Sequence, residues 1–291
     1  MNLLRCLLAQ LLVALATLVL IVPMTLAALL RPVMPLRVAR RRLADAIEAV
    51  ARAWLKLLLW TCRRAFDTRY EVTGSVDVDR HRSYVMISNH RSWVDVLAIL
   101  EVFGDRLPFY RFFVKRELVW MPLIGVAFLA LDFPLMRRRS SGEQRYEAES
   151  RGSDLWRAKR ACDKLQGRAV TMVNFPEGRL FRQKLHAEQG SPHDYLLKPR
   201  AGGTSLVLSA MADQIDSIID VTIDYPDGAP KIWHYLFNRV PRVRLHLRQL
   251  DPGRELMAGD YRADADFRAR FQDWINRVWH EKDRILAEMR D

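Results

Sequence analysis

His90 and Asp95 stand five positions apart in the stretch YVMISNHRSWVD, residues 84–95, and together they make a base and an acid able to orient it. A neutral imidazole takes up a proton near neutral pH, and a carboxylate fixes its tautomer and stabilises the charged form, so the pair can activate a hydroxyl. Residues five apart do not stack on one helix face as residues three or four apart do. A turn from a strand into a helix must therefore fold between them. The apolar run Tyr84-Val85-Met86-Ile87 reads as the strand, and residues 93–99 read as the first turns of a buried helix. His90 then lies in the loop above a strand end, near the positive end of a helix, a place where α/β folds build sites. A histidine in an ordinary surface loop fits the same string, and NHxxxxD alone does not separate the two readings.

Two further stretches carry residue types suited to a site. Strand-like residues 131–136 end at Arg137-Arg138-Arg139, a run that reads as solvated charge or, next to a site, as guanidinium groups for a phosphate. The buried-looking run of residues 169–175 leads straight into Pro176-Glu177-Gly178, a carboxylate and a glycine at a strand end, though an ordinary turn has the same composition. Residues 179–200 read as basic and irregular. There is no GxxxxGK phosphate loop, no GxSxG elbow and no internal repeat.

The elements that must position these residues begin with an apolar one. From Cys6 to Leu30 the chain holds no charged residue over 25 positions, enough for a helix to cross the hydrocarbon core of a bilayer, and too long for the core of a signal peptide. Pro23 marks a kink or a break into half-helices. Arg31, Arg37, Arg40, Arg41 and Arg42 follow, against Arg5 before the run, which predicts an outside N-terminus and a cytoplasmic remainder. Residues 43–66 place Ile47, Val50, Ala51, Trp54, Leu57 and Leu58 at helical spacing, a helix lying in the membrane interface or packed on the soluble part.

The 291 residues suffice for one large domain or two modest ones. The net charge of +12 calls for an anionic partner, which nucleic acid, an anionic membrane or a phosphorylated substrate would satisfy; no nucleic-acid motif accompanies it. Cys6, Cys62 and Cys162 lack metal-ligand spacing and read as reduced. Strands are expected over residues 71–74, 112–114, 131–136, 169–175, 218–223 and 243–247. Helices are expected over residues 155–165 and 202–211, and the apolar run 119–131 is too short to cross a membrane. In the C-terminal helix Phe267, Phe271, Trp274, Ile275, Val278 and Trp279 form an apolar stripe, with Arg268, Arg270, Arg277 and Lys282 elsewhere on it.

Taken in order, these landmarks resemble the membrane-bound glycerophospholipid acyltransferases of the lysophosphatidic acid acyltransferase family, and within it the bacterial YihG-type branch. The first block, NHxxxxD, is matched by Asn89-His90 through Asp95. The second is matched by Lys115 to Leu118, by Pro122 and Gly125, and by Arg137 after its strand. The third, FPEGTR, is kept as Phe175-Pro176-Glu177-Gly178, after which Arg179 and Leu180 stand in place of Thr and Arg. The fourth has Asp220 where a proline is usual.

The resemblance implies an α/β acyltransferase fold, a central mixed sheet flanked by helices, preceded by an N-terminal membrane helix or helices. Residues 1–66 would be the anchor and amphipathic helix, and 67–291 the acyltransferase domain. It further implies that His90 is the general base and Asp95 its orienting acid. Asn89, Arg137, Glu177, Gly178 and Arg179 are then expected at the substrate, with Arg179 or Arg182 standing in for the family's arginine. The expected acceptor is a lysophospholipid and the expected donor is acyl-CoA or acyl carrier protein, with no metal and no other cofactor. The expected place is the inner membrane, with the catalytic domain on the cytoplasmic side.

Overall fold

The computed structural model describes residues 2–121, 124–136, 160, 162–251, 253–257, 259, 261 and 263–291. In chain order the helices are α1 (Asn2–Leu30), α2 (Arg37–Ala65), α3 (Val94–Phe103), α4 (Ile124–Ala130), α5 (Gln183–Gln189), α6 (Ala201–Ala210), α7 (Ile232–Leu236), α8 (Arg254–Met257) and α9 (Ala265–Glu288). The strands are β1 (Arg69–Gly74), β2 (Ser83–Ser88), β3 (Tyr110–Phe112), β4 (Val114–Lys115), β5 (Leu135–Met136), β6 (Thr171–Asn174), β7 (Ile215–Asp224) and β8 (Arg242–Leu250). These gather into two compact units, Met1–Phe66 with Arg111–Lys164, and Asp67–Tyr110 with Leu165–Asp291. The sequence-based division at residue 66 falls on one of the crossings between them. Residues 111–164, expected in the second domain, group instead with the N-terminal helices, because the chain leaves the second unit after Tyr110 and returns at Leu165.

In the first unit α1 and α2 form an antiparallel hairpin. Cys6 Sγ lies 3.9 Å from the Ala65 carbonyl, and Trp54 Nε1 donates to Thr17 Oγ1 at 2.9 Å, so the residue numbers on the two helices run in opposite senses. A 3₁₀ turn, Arg31–Val33, closes the hairpin. Helix α1 continues unbroken past Pro23, so no pair of half-helices forms there. It buries Cys6, Ala9, Ile21 and Met24 at helical spacing and exposes Leu7, Leu8, Leu11, Leu15 and Leu18. Helix α2 starts at Arg37 rather than near Leu43, since the arginines that follow the apolar run are good helix formers. It turns Ala44, Ile47, Ala51 and Cys62 inward.

Arg111, 2% exposed, donates to Glu48 Oε2 at 2.8 Å and to the Leu131 carbonyl at 3.0 Å, and Asp132 pairs with Arg31 at 2.6 Å and Lys164 at 2.9 Å. The strand expected over residues 112–114 is broken at Phe113: β3 ends before it, and β4 begins after it to pair in parallel with β5. The apolar run 119–131 joins the core at Ala130 and Leu131, while Trp120, Met121 and Leu129 are exposed. A Cβ on Gly125 would come within 1.9 Å of the Val119 carbonyl oxygen, so the turn there admits only glycine. Arg137 and its two neighbours, Pro122, and most of the helix expected over residues 155–165 lie outside the described residues.

The second unit is a mixed α/β layer around a sheet of order β1-β8-β7-β2-β6-β3. β2 lies at its centre, parallel to both β6 and β7, with Ile87 level with Asn174 on one side and Asp220 on the other. All six of its residues are buried, as a continuous apolar run covered on both faces requires. β7 and β8 are antiparallel, and β1 pairs with β8 in parallel. Helix α9 packs Phe267, Phe271, Ile275, Val278 and Trp279 of its expected stripe into the core, while Trp274 is half-buried against Phe271. Lys282, grouped by its charge with the arginines of that helix, is instead fully buried.

Candidate active site

Because β2, β6 and β7 are parallel, their C-terminal ends open on one edge of the sheet, and the residues that leave those ends are His90, Glu177 and Tyr225. Asn89 is the first residue beyond β2. Its amide donates to the Ile223 carbonyl and accepts from the Ile223 amide, both at 2.8 Å, and it is wholly buried. Asn89, expected at the substrate, is therefore a structural clamp. Both ends of its side chain pin the His90 loop to β7.

The turn between strand and helix foreseen from the spacing is present. Asp95 lies in the first turn of α3, and its Oδ2 accepts from His90 Nδ1 at 2.9 Å and from the backbone amides of Arg91 and Ser92 at 2.7 and 2.9 Å. Its Oδ1 accepts from the Tyr225 hydroxyl at 2.5 Å. A carboxylate so surrounded by donors is an acceptor only, so the His90 proton resides on Nδ1. Nε2, with no partner among the described residues, is left as the basic atom. Phe175, from the end of β6, stacks on the imidazole at 4.1 Å, and the Phe181 amide donates to the His90 carbonyl at 2.7 Å. The ring is thus held on its face, on Nδ1 and through its own backbone, and only 12% of the side chain is exposed.

Glu177 is fully buried, and the indole of Trp279 is the polar side chain set against its carboxyl. Burial pushes its carboxyl well above the ordinary range, while the nearby charges of Arg91 and Lys282 pull it back. It is a buried carboxyl near Asp95 rather than an exposed substrate ligand. Gly178 follows at φ +66°, a left-handed turn that a side chain would strain. Beside it is a feature the sequence did not reveal. Arg200 hydrogen-bonds through its amide to the Pro176 carbonyl at 2.9 Å, and its Cδ lies 4.0 Å from where a Gly178 Cβ would stand. Burial, and then the charge of Arg179, lower the Arg200 pKa. Neither guanidinium group has an acceptor among the described residues.

Asp220, the unusual residue of the fourth block, is buried in β7 and paired with Lys282 at 2.5 Å and Arg248 at 2.5 Å. Lys282 also donates to the Val221 carbonyl at 2.7 Å, and burial lowers its pKa against the pull of Asp220. The carboxylate in this strand is thus a structural ion, one residue level below the end of β2.

Comparison with known proteins agrees with this geometry. A family model described as Acyltransferase matches residues 69–225, over half of the 291. The 1-acyl-sn-glycerol-3-phosphate acyltransferase epsilon of Mus musculus is 24% identical over 238 residues, 74% of this chain and 60% of its own. Lysocardiolipin acyltransferase 1 of Danio rerio is 25% identical over 273 residues, 88% of this chain and 64% of its own. The chain thus spans somewhat under two thirds of the length of these relatives. The crystal structure of the 1-acyl-sn-glycerophosphate acyltransferase PlsC from Thermotoga maritima matches with a TM-score of 0.50 at 18% identity, covering 99% of this chain and 98% of that one, a likeness of fold. On the matched block, which holds His90, Asp95, Glu177 and Tyr225, the chain belongs to the acyltransferase family.

Proposed function

We propose that this protein transfers a fatty acyl group from a thioester, acyl-CoA or acyl carrier protein, to the free hydroxyl of a lysophospholipid, most simply 1-acylglycerol-3-phosphate. The observation that carries the reading is the free Nε2 of a histidine whose Nδ1 is held by Asp95, at the strand ends of an acyltransferase-family chain. His90 Nε2 takes the proton of the acceptor hydroxyl as its oxygen attacks the thioester carbonyl carbon. The tetrahedral intermediate collapses with cleavage of the C–S bond, and the imidazolium returns the proton to the leaving thiolate. No residue is acylated. Asp95 stabilises the imidazolium, and burial disfavours a second negative charge on Glu177 beside it.

Arg179 and Arg200 suit the acceptor's phosphate, since Arg179 follows the Glu177-Gly178 turn in the chain, Arg200 is tied to that turn through its amide, and neither guanidinium is paired with a carboxylate among the described residues. Arg200 then supplies the charge that Leu180 does not. Arg179→Ala and Arg200→Ala should each raise the acceptor KM roughly tenfold or more with a smaller effect on kcat, the pattern of lost ground-state binding to a charged group. An Arg137→Ala loss of affinity with both of these variants unchanged would show that the phosphate is held elsewhere.

The α1–α2 hairpin suits attachment to one leaflet. One helix, residues 3–30, is long and apolar enough to cross a membrane. However, α2 lies alongside it in the opposite sense and carries Asp45, Glu48, Arg52 and Lys56 in its middle turns, each costing about 2.5–3.5 kcal/mol at a bilayer centre. A hairpin lying in the interface keeps the leucines of α1 in lipid and the exposed Asp45 and Lys56 in water, while Glu48 stays paired with Arg52 and Arg111. The basic segment after α1 supports a place on the cytoplasmic face of the membrane. The test of the activity is acyl transfer by the full chain in membranes, with lysophosphatidic acid beside lysophosphatidylglycerol, lysophosphatidylinositol and lysocardiolipin. The highest kcat/KM on lysophosphatidic acid is expected. No transfer to any of the four would sink the proposal.

A further inference from the structure

We infer that Tyr225 is a positioning residue that sets the basicity of His90 through Asp95, so that phenol, carboxylate and imidazole act as one relay. Tyr225 is the first residue beyond β7 and is 3% exposed, while Asp95 has no exposed surface. The phenol hydroxyl donates to Asp95 Oδ1 at 2.5 Å, and no other group among the described residues reaches that oxygen. The other oxygen serves His90 and two backbone amides. The amides are fixed by the turn, so the phenol is, apart from His90 itself, the one donor to this carboxylate that a side-chain substitution can remove.

The direction of the effect follows from charge. A hydrogen bond to Oδ1 draws negative charge away from Oδ2, and so weakens the hold of the carboxylate on an imidazolium. Tyr225 therefore keeps His90 neutral, and able to accept a proton, to lower pH than a bare His-Asp pair would. Burial, and then the charge of Asp95, push the Tyr225 pKa well above its usual value, so the phenol stays protonated and remains the donor. The other charged or titratable groups that bear on the relay are Arg91, Glu177 and Tyr70, with Asp224, Lys282 and Arg290 behind them. Asp224 is itself paired with Arg290 at 2.6 Å. Replacing only the phenol oxygen leaves all of these in place.

The test follows the His90 imidazole by ¹⁵N NMR in the full chain in detergent micelles, with His90→Ala identifying its resonance, for wild type, Tyr225→Phe and a chain with 3-fluorotyrosine at position 225. Loss of the phenol should move the His90 titration midpoint upward by roughly 0.5–1 pH unit, the size expected for losing one charge-assisted hydrogen bond one atom removed. The more acidic fluorophenol donates more strongly and should move it downward. A merely structural role cannot give shifts of opposite sign. A midpoint unmoved in both variants, or moved the same way in both, overturns the inference. That the relay serves acyl transfer rests on the function proposed above, and there the acid limb of kcat/KM should move with the midpoint. A wild type that acylates no acceptor would end that function, while the NMR result would still decide the relay.

Discussion

Both carboxylate oxygens of Asp95 are engaged by donors, four in all, and this makes it an effective orienting group. Asp95→Asn keeps the shape but offers an amide where the imidazole needs an acceptor. The ring is then free to turn to the wrong tautomer, and kcat should fall about 10²–10⁴-fold with acceptor KM little changed. A variant within threefold of wild type would remove Asp95 from the mechanism. Glu177 makes a different prediction. Its pKa is raised on folding, so its contribution to stability is whole below the range of an unfolded glutamate and is lost as pH rises toward the folded value. Glu177→Gln, which has no proton to lose, should gain on wild type in Tm as pH is raised from about 5 to about 8. A difference that stays flat would mean that the carboxyl is not held neutral. His90 and Asp95 are readable from sequence because their relation is local, five residues bridged by one turn. Tyr225 is not, for its partner lies 130 positions away and the two meet only through the pairing of β2 with β7. The clamping role of Asn89 is hidden for the same reason, because its partner, Ile223, is equally remote.

At the scale of elements the site depends on three parallel strands opening on one edge of the sheet, and β7 is held there by a buried ion cluster. Asp220→Ala leaves Lys282 fully buried and without its carboxylate, and should cost about 3–5 kcal/mol. Replacing both, Asp220→Val with Lys282→Met, should recover most of that loss in a denaturant titration. Equal loss in the single and double variants would show that the cluster is not where the stability resides. The strands of the second unit are legible because their apolar runs are continuous, as buried parallel strands require. Helix α5 is hidden in a stretch that looks basic and irregular, since a short surface helix needs no apolar stripe. Lys282 reads as a surface charge because nothing within α9 announces a carboxylate supplied by β7.

At the scale of the whole chain, two compact units divide the physical work. The first exposes leucines along α1, and the second holds the dyad. Leu8, Leu11 and Leu15 are 57, 55 and 51% exposed, and each contributes roughly 1.5–3 kcal/mol if buried in lipid. Changing all three to Gln should release the chain from membranes into the supernatant of an alkaline carbonate wash, and retention would argue against insertion of α1. The 25-residue apolar run is the plainest signal in the sequence. Its pairing with a charged antiparallel partner is not legible there, because pairing is a tertiary fact. The most direct measurement of the central claim is acyl transfer from a radiolabelled acyl thioester to lysophosphatidic acid, by membranes holding equal amounts of wild type and His90→Ala. The account predicts a rate at least about 10²–10⁴-fold lower in the variant, the contribution of a positioned general base. Equal rates in the two would contradict it.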